Sequence, residues 1–155
     1  MDKKIKVLFL STGNSVRSQM AEGYLRKLGC GKFDAVSAGI EPSGISPVAV
    51  EVMREIGIDI SKQQPKNVKE SLKEHFAYVI TVCDMAKERA PIFPFTPNLL
   101  HWSLVDPSRE TGSPDAIKNV FRRVRDQIGS NVEGFLRDVA QKEQKQEEAA
   151  AVLHK

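Results

Sequence analysis

Ser11-Thr12-Gly13-Asn14-Ser15-Val16-Arg17-Ser18 joins the first apolar run of the chain to its first helical pattern, and the reading of this octet decides the fold. Ahead of it, Ile5-Lys6-Val7-Leu8-Phe9-Leu10 is short and nearly continuous in apolar residues, as expected of a strand buried on both faces. Behind it, Met20, Ala21, Tyr24, Leu25 and Leu28 recur at helical spacing up to Gly29, which is expected to stop the helix. The octet is therefore a strand-to-helix turn. Such a turn suits an anion. Gly13 is expected to let the backbone curl without a Cβ clash, successive N–H groups can point inward, and the helix presents its positive end to the same point. Arg17 adds a planar fork of donors for two oxygens of a tetrahedral oxyanion. Ser15 and Ser18 add hydroxyls, and Asn14 can brace the loop from within. A polar turn with a solvated arginine is the plainer alternative, but here glycine, arginine and helix start fall in one register.

The rest of the chain repeats the alternation. Phe33-Asp34-Ala35-Val36-Ser37 reads as a second strand, and Ser46-Pro47 as the cap and first residue of a helix carrying Ala49, Val52, Met53 and Ile56. Ile58 to Ser61 reads as a short extended piece, followed by a polar loop and a weak helix through about Glu74. Phe76 to Cys83 is aromatic and β-branched, a third strand, and Asp84 to Arg89 a short helical segment. The prolines within 92–97 exclude regular structure there. Leu99 to Leu104 is the fourth strand candidate, opening into Val105-Asp106-Pro107-Ser108. From Pro114, the positions Ile117, Val120, Phe121, Val124, Ile128, Val132, Phe135, Leu136 and Val139 line one face of a long helix. Strands alternating with helices predict an α/β fold, a four-stranded parallel sheet with helices on both faces, as one domain over residues 1–140. Residues 141–155 are polar and alanine-rich, and are expected to form a helical or frayed extension. Ligands of such sheets bind beyond the carboxyl ends of the strands, which brings the octet, Cys83 and Asp106 to one rim.

Composition narrows the class. The 155 residues are 28% charged and 41% apolar with a net charge of +3, the balance of a globular protein with one core. No run approaches the length of a membrane span, and the N-terminal stretch is too short for a secretory core, so the expected address is the cytoplasm. Basic residues are interleaved with acids and lack an aromatic stripe, which argues against nucleic acid. Neither Cys30 and Cys83 nor His75, His101 and His154 have metal-ligand spacing, and no metal is expected. Cys30 reads as incidental.

The octet resembles the phosphate loop of the low-molecular-weight protein-tyrosine-phosphatase superfamily, Cys-X5-Arg-Ser. It is most similar to the arsenate-reductase branch, where Thr-Gly-Asn-Ser and Arg-Ser-Gln-Met-Ala-Glu-Gly occur as they do at 12–15 and 17–23. The resemblance spans about residues 4 to 138 and implies a flavodoxin-like arrangement. Within the octet it departs at one place: Ser11 stands where the family has its nucleophilic cysteine. A thiol there would be held as thiolate by the helix end and Arg17, whereas a serine hydroxyl stays protonated without a base, and the octet contains none. The resemblance implies oxyanion binding by Thr12, Gly13, Asn14, Ser15, Val16, Arg17 and Ser18. It implies a general acid at Asp106, by itself a turn-forming aspartate, and a redox cysteine at Cys83, by itself a small buried hydrophobe. The family's resolving cysteine, seven residues beyond Cys83, is Ala90 here. No bound cofactor is implied, only an external thioredoxin-like thiol reductant. Some reductases hold a monovalent cation beside the loop. Asn14, Glu22 and Ser37 resemble part of that site, and Lys66 falls near its remaining acidic ligand.

The resemblance implies an arsenate reductase, arsenate to arsenite, strongly impaired as written. The alternatives are a low-molecular-weight tyrosine phosphatase and a non-catalytic phosphate- or arsenate-binding module. Ser108-Arg109-Glu110-Thr111 follows Asp106-Pro107 where the phosphatase branch usually has aromatic residues, which favours arsenate. The oligomeric state is left open.

Overall fold

A computed structural model describes residues 3–91, 93 and 96–153. Its strands are β1 (Ile5–Ser11), β2 (Phe33–Gly39), β3 (Tyr78–Thr81) and β4 (Asn98–His101), all parallel and ordered β2-β1-β3-β4. Its α-helices are α1 (Arg17–Leu28), α2 (Pro47–Arg54), α3 (Asp84–Arg89) and α4 (Pro114–Leu153), with 3-10 turns at Val68–Ser71 and Pro107–Arg109. This is the four-stranded parallel α/β sheet expected. From β1 the chain first goes to one side, to β2, and then returns to the other, to β3. The order reverses between β1 and β3, and the crevice at their carboxyl ends is the place for a ligand.

Period-2 alternation splits β1 between two cores. Val7 and Phe9 face one way, with Ile80 and Ala35, against Met20, Tyr24 and Leu25 of α1, Ala49, Val52 and Met53 of α2, and Val124, Ile128, Val132 and Phe135 of α4. Leu8 and Leu10 face the other way, with Val79 and Ala38, under Val68, Phe76, Cys83 and Ala86. Each fully buried Leu or Phe contributes about 1.5–3 kcal/mol over its exposed state. Both faces are covered, unequally: three full helices on one, a 3-10 turn and the short α3 on the other. Ser46 caps α2 as expected, its Oγ accepting from Ala49 N–H at 3.3 Å. The α2–α4 seam is closed by Glu55, which accepts from Arg122 at 2.7 Å and from Arg125 at 2.8 Å. Those hydrogen bonds, Arg122's foremost, hold the Glu55 carboxyl down at about 2.

Several local expectations are corrected. Gly29 is right-handed (φ −76°), and the left-handed residues that turn the chain out of α1 are Cys30 (φ 51°) and Gly31 (φ 78°). Residues 58–61 form no strand: Ile58 and Ile60 are buried, and both lie against α1 at Gly23, where a Cβ would stand 2.6 Å from Ile60. The weak helix through Glu74 shrinks to Val68–Ser71, because the stretch before it runs along β2, with Gly39 N–H donating to Lys66 O and a bridge between Gly39 and Asn67. β3 and β4 are shorter than their apolar runs, ending where the chain turns toward α3 and the Asp106 loop. The irregular stretch expected over 92–97 lies partly outside the described residues. α4 continues without a break past residue 140 to Leu153, its last residues exposed. Among the described residues no helix is long and apolar enough to cross a membrane.

Candidate functional site

The octet closes on itself because its carbonyls are taken by a neighbour. The N–H groups of Ile40, Glu41, Ser43 and Ser46 donate to the carbonyls of Ser11, Thr12, Gly13 and Ser15 at 2.8–3.1 Å. With four of its carbonyls bound outward to the β2–α2 connection, the loop can turn N–H groups inward, the arrangement an oxyanion needs. The N-cap of α1, Val16, makes no side-chain cap bond, so the first amides of that helix also lack a side-chain acceptor.

The left-handed residue of the loop is Asn14 (φ 52°), not Gly13. Asparagine tolerates this region because its side chain bonds locally, and here every polar group of the fully buried Asn14 is used. Its N–H donates to Ser11 Oγ at 2.9 Å and its Nδ2 to Ser18 Oγ at 2.9 Å; its Oδ1 accepts from Lys66 N–H at 2.8 Å and its carbonyl from Gln19 Nε2 at 3.0 Å. Gln19 is clamped in turn by Gln63 Nε2, which donates to Gln19 Oε1 at 2.8 Å. The glycine that the loop requires is Gly39, opposite Ser11 in the sheet: a Cβ there would stand 2.9 Å from Thr12 O and 3.0 Å from Asn14 N. Sequence reasoning passed over Gly39, Gln19 and Gln63. Gln19 meets the loop five residues away at Asn14, Gly39 meets it from another strand at Thr12 and Asn14, and Gln63 acts through Gln19, 44 residues distant; their one visible signal is polarity or glycine beside apolar runs.

Ser11 ends β1, 3% exposed, with its Oγ 2.6 Å from Ser18 Oγ. Ser18 Oγ already accepts from Asn14 Nδ2, so its own hydrogen is available to Ser11. Asn14 N–H thus donates to the atom at position 11, and the Ser18 hydroxyl can donate to it when that atom carries charge. Such a setting stabilises an anion, and it meets a neutral hydroxyl; neither recorded contact of that hydroxyl is a base. Arg17 NH1 donates to Leu104 O at 3.0 Å, and its NH2 lies 3.6 Å from Asp106 Oδ2. Asp106 caps its own turn, Oδ1 accepting from Ser108 N–H at 3.0 Å and Ser108 Oγ at 2.6 Å, while Arg109 Nε stands 3.7 Å from Oδ2. Cys83, 4% exposed, is the N-cap of α3, with its Sγ 3.4 Å from Thr12 Oγ1.

The structure therefore brings Ser11 to Arg17, Cys83 and Asp106 to one cleft of about 640 Å³, closed outside by Ser43, Met85, Val105, Ser108, Arg109 and Glu110; Ser18 does not line it and is fully buried, bonded to Ser11. A groove of about 720 Å³ at the other end of the sheet, rimmed by Lys3, Lys4, Lys32 and Lys142, has no such loop and contains none of these residues. Ala90 ends α3 with an extended backbone, and Cys30 is exposed in the α1–β2 turn, outside the cleft. Beside the loop, the polar groups expected near a cation are bonded within the protein, Asn14 Oδ1 by Lys66 N–H at 2.8 Å. Glu22 is already answered by Arg26 at 2.7 Å and Ser37 Oγ at 2.9 Å, and among the described residues no group of three or more His, Cys, Asp or Glu could hold a metal.

Comparison with known proteins places this architecture. Residues 6–146 match the family model of the low molecular weight phosphotyrosine protein phosphatase. An arsenate reductase of Halalkalibacterium halodurans is 43% identical over 135 residues, covering 87% of this chain and 96% of the relative. One of Bacillus subtilis is 39% identical with the same coverage. A solved arsenate reductase in a phosphate-binding state superposes with a TM-score of 0.74 at 35% identity, covering 86% of this chain and 98% of the other. Loop, sheet order and sequence agree: the chain belongs to the low molecular weight phosphotyrosine protein phosphatase family, on its arsenate reductase branch.

Proposed function

We propose that this chain is an arsenate reductase scaffold that binds arsenate and phosphate in the 11–18 loop and is arrested at the first chemical step by Ser11. The observation that carries the reading is the convergence of Asn14 N–H and Ser18 Oγ on Ser11 Oγ, at the centre of a loop whose carbonyls are tied outward. Binding uses the loop amides, the α1 terminus and Arg17, all intact.

In the branch's pattern a thiolate at 11 attacks arsenic, water leaves with a proton from Asp106, and the thiol at 83 attacks the sulfur at 11. The electron pair of the S–As bond stays on arsenic, arsenite departs, and a disulfide 11–83 holds the two-electron oxidation. A thiol at 90 then exchanges with it, and an external thioredoxin-like dithiol resets the pair. Here Cys83 is the one sulfur of the three in place, so neither the first bond nor the relay can form. Loss of a nucleophile of this kind costs turnover on the order of a millionfold. The reading locates the reaction in the cytoplasm, where such reductants operate.

The test is arsenate-dependent oxidation of reduced thioredoxin by Ser11→Cys, Ala90→Cys. Sustained turnover is expected from the double variant, and about one arsenite per chain from Ser11→Cys alone. Arsenate binding without electron flow in the double variant would refute the reductase reading. The phosphatase alternative keeps one supporting observation, Asp106 beside Arg17 at 3.6 Å. Hydrolysis of an aryl phosphate by Ser11→Cys would support it; among the described residues, however, the cleft mouth offers no aromatic side chain to a substrate ring.

A further inference from the structure

The cysteine of the cleft lies inside a short span of chain gripped from one side by a single imidazole. His101, the last residue of β4, has its Nδ1 2.7 Å from Thr81 Oγ1 and its Nε2 2.8 Å from Asp84 Oδ1. Thr81 stands two residues before Cys83 and Asp84 directly after it. Ser103 Oγ donates to the same Asp84 oxygen at 3.2 Å. The Thr81 hydroxyl has two partners within reach, His101 Nδ1 at 2.7 Å and Leu100 O at 3.4 Å. The Asp84 carboxylate only accepts, so the ring donates to it from Nε2, while Nδ1 meets the Thr81 hydroxyl as donor or acceptor according to the ring's protonation. Both ring nitrogens are then satisfied, and His101 bridges the end of β3 to the first turn of α3.

Among the described residues that turn is otherwise held by the packing of Cys83 and Ala86 in the second core and by a few exposed contacts. Of the six residues of α3, Ala86 alone is buried. The far end is tied by Arg89 to Glu41 at 2.9 Å, with both side chains exposed, a class of pair worth about 0–1 kcal/mol. Asp84 is exposed as well, but its partner is not a free surface group: the His101 side chain is 20% exposed and fixed at both nitrogens. Beyond α3, Ala90 is extended and Pro91 prevents the helix from continuing.

We infer that His101 is a positioning residue for Cys83: by bonding Thr81 and Asp84 on either side of it, the ring holds the thiol against Thr12 in the oxyanion cleft and keeps α3 from carrying it into solvent. The inference rests on Cys83 being the working thiol of that cleft. With the ring in place, Cys83 meets what the loop holds. When the Asp84 arm is released, α3 can swing away from β4 and the sulfur becomes open to solvent thiols and alkylating agents. Other members of the chain's polar network brace the loop itself; this one braces the second sulfur position.

The test is iodoacetamide alkylation of the full chain, followed separately at Cys83 and Cys30 by peptide mass spectrometry. Cys30 is exposed and remote from the cleft, so it serves as the reference within the same molecule. His101→Ala is expected to raise the Cys83 rate about tenfold relative to Cys30, as two hydrogen bonds that oppose opening are lost. His101→Gln, whose amide can still donate to Asp84, is expected to restore most of the protection. Hydrogen exchange should show amides of α3 losing protection while those of β1 and α1 keep theirs. An unchanged Cys83-to-Cys30 ratio in His101→Ala would overturn the inference. Exchange rising across the whole sheet, or a Gln variant no better protected than Ala, would overturn it too, because the role would then be structural alone. Inorganic phosphate titration of the unmodified chain separates this from the function proposed above: failure to bind removes the oxyanion reading and leaves the alkylation ratio unaffected.

Discussion

Replacing Ser11 by cysteine should produce a thiol that ionises well below the ordinary cysteine value of about 8.5. The magnitude follows from what already surrounds the atom. Asn14 N–H at 2.9 Å and Ser18 Oγ at 2.6 Å both point at position 11, and the helix that starts at Arg17 has no side-chain cap to offset its terminal charge. A hydrogen bond to a charged group contributes about 1.5–3 kcal/mol, and a helix end about 0.3–1 kcal/mol. Sulfur is larger than oxygen, so the Ser18 contact lengthens and one of the two bonds should count at a fraction of that. Burial at 3% exposure works in the opposite direction. The balance is about 3 kcal/mol in favour of thiolate, roughly two pKa units, for a midpoint near ~6.5. The assay is the ultraviolet absorbance of the thiolate against pH, with and without phosphate. Alkylation rate is the poorer measure, because a thiolate of lower pKa is also a weaker nucleophile and the two effects partly cancel. A midpoint at or above about 8.5 would mean that the donors around position 11 do not act as an anion cradle, and the reading of the site would fall with it.

Arg17→Lys keeps one charge and loses the planar fork, so phosphate affinity measured by calorimetry should fall about tenfold or more while the melting temperature stays close to that of the parent. Gly39→Ala places a methyl group 2.9 Å from Thr12 O and 3.0 Å from Asn14 N. Since the neighbours are backbone, phosphate binding should be lost with a stability cost of about 1–3 kcal/mol by thermal melt. Asn14→Ala strands buried partners and forces a left-handed alanine, and a loss of about 2–4 kcal/mol is expected from denaturant titration. Glu55, whose carboxyl is pulled down to about 2 by Arg122 and Arg125, stabilises the fold fully above its unfolded value of about 4.3. That contribution should disappear as pH falls from about 4.5 through 2, and Glu55→Gln should flatten the acid limb of the melting-temperature profile.

The parts of the site that were legible from residues alone are those where chemistry and local geometry coincide. The octet lies between a buried strand and an amphipathic helix, so its place at the sheet's rim follows from two periodicities, and the carboxyl ends of β3 and β4 follow from the alternation. What stayed hidden depends on long-range pairing. The tie of the octet's carbonyls by residues 40–46, the close approach of Gly39 and the reach of Lys66 to Asn14 connect segments separated by tens of residues, and none carries a pattern of its own. Gly13 drew the positive φ that belongs to Asn14, because glycine is the commoner left-handed residue while an asparagine with four internal bonds is as well suited. Apolar runs overstated β3 and β4: Val82 and Cys83 are buried like strand residues but already lead into α3. His101 showed no ligand spacing along the chain because its partners, Thr81 and Asp84, lie on another strand and helix.

The length of α4 has a practical side. Forty residues at a rise of about 1.5 Å each make a rod of roughly 60 Å, starting beside the Asp106 turn and ending well past the amino ends of the strands, where Val139 and Lys142 border the basic groove. A tether fixed at Leu153 would therefore leave the protein standing on its handle with the oxyanion cleft facing the bulk solution. Immobilised that way, the chain would present its cleft away from the surface, held off by its own helix.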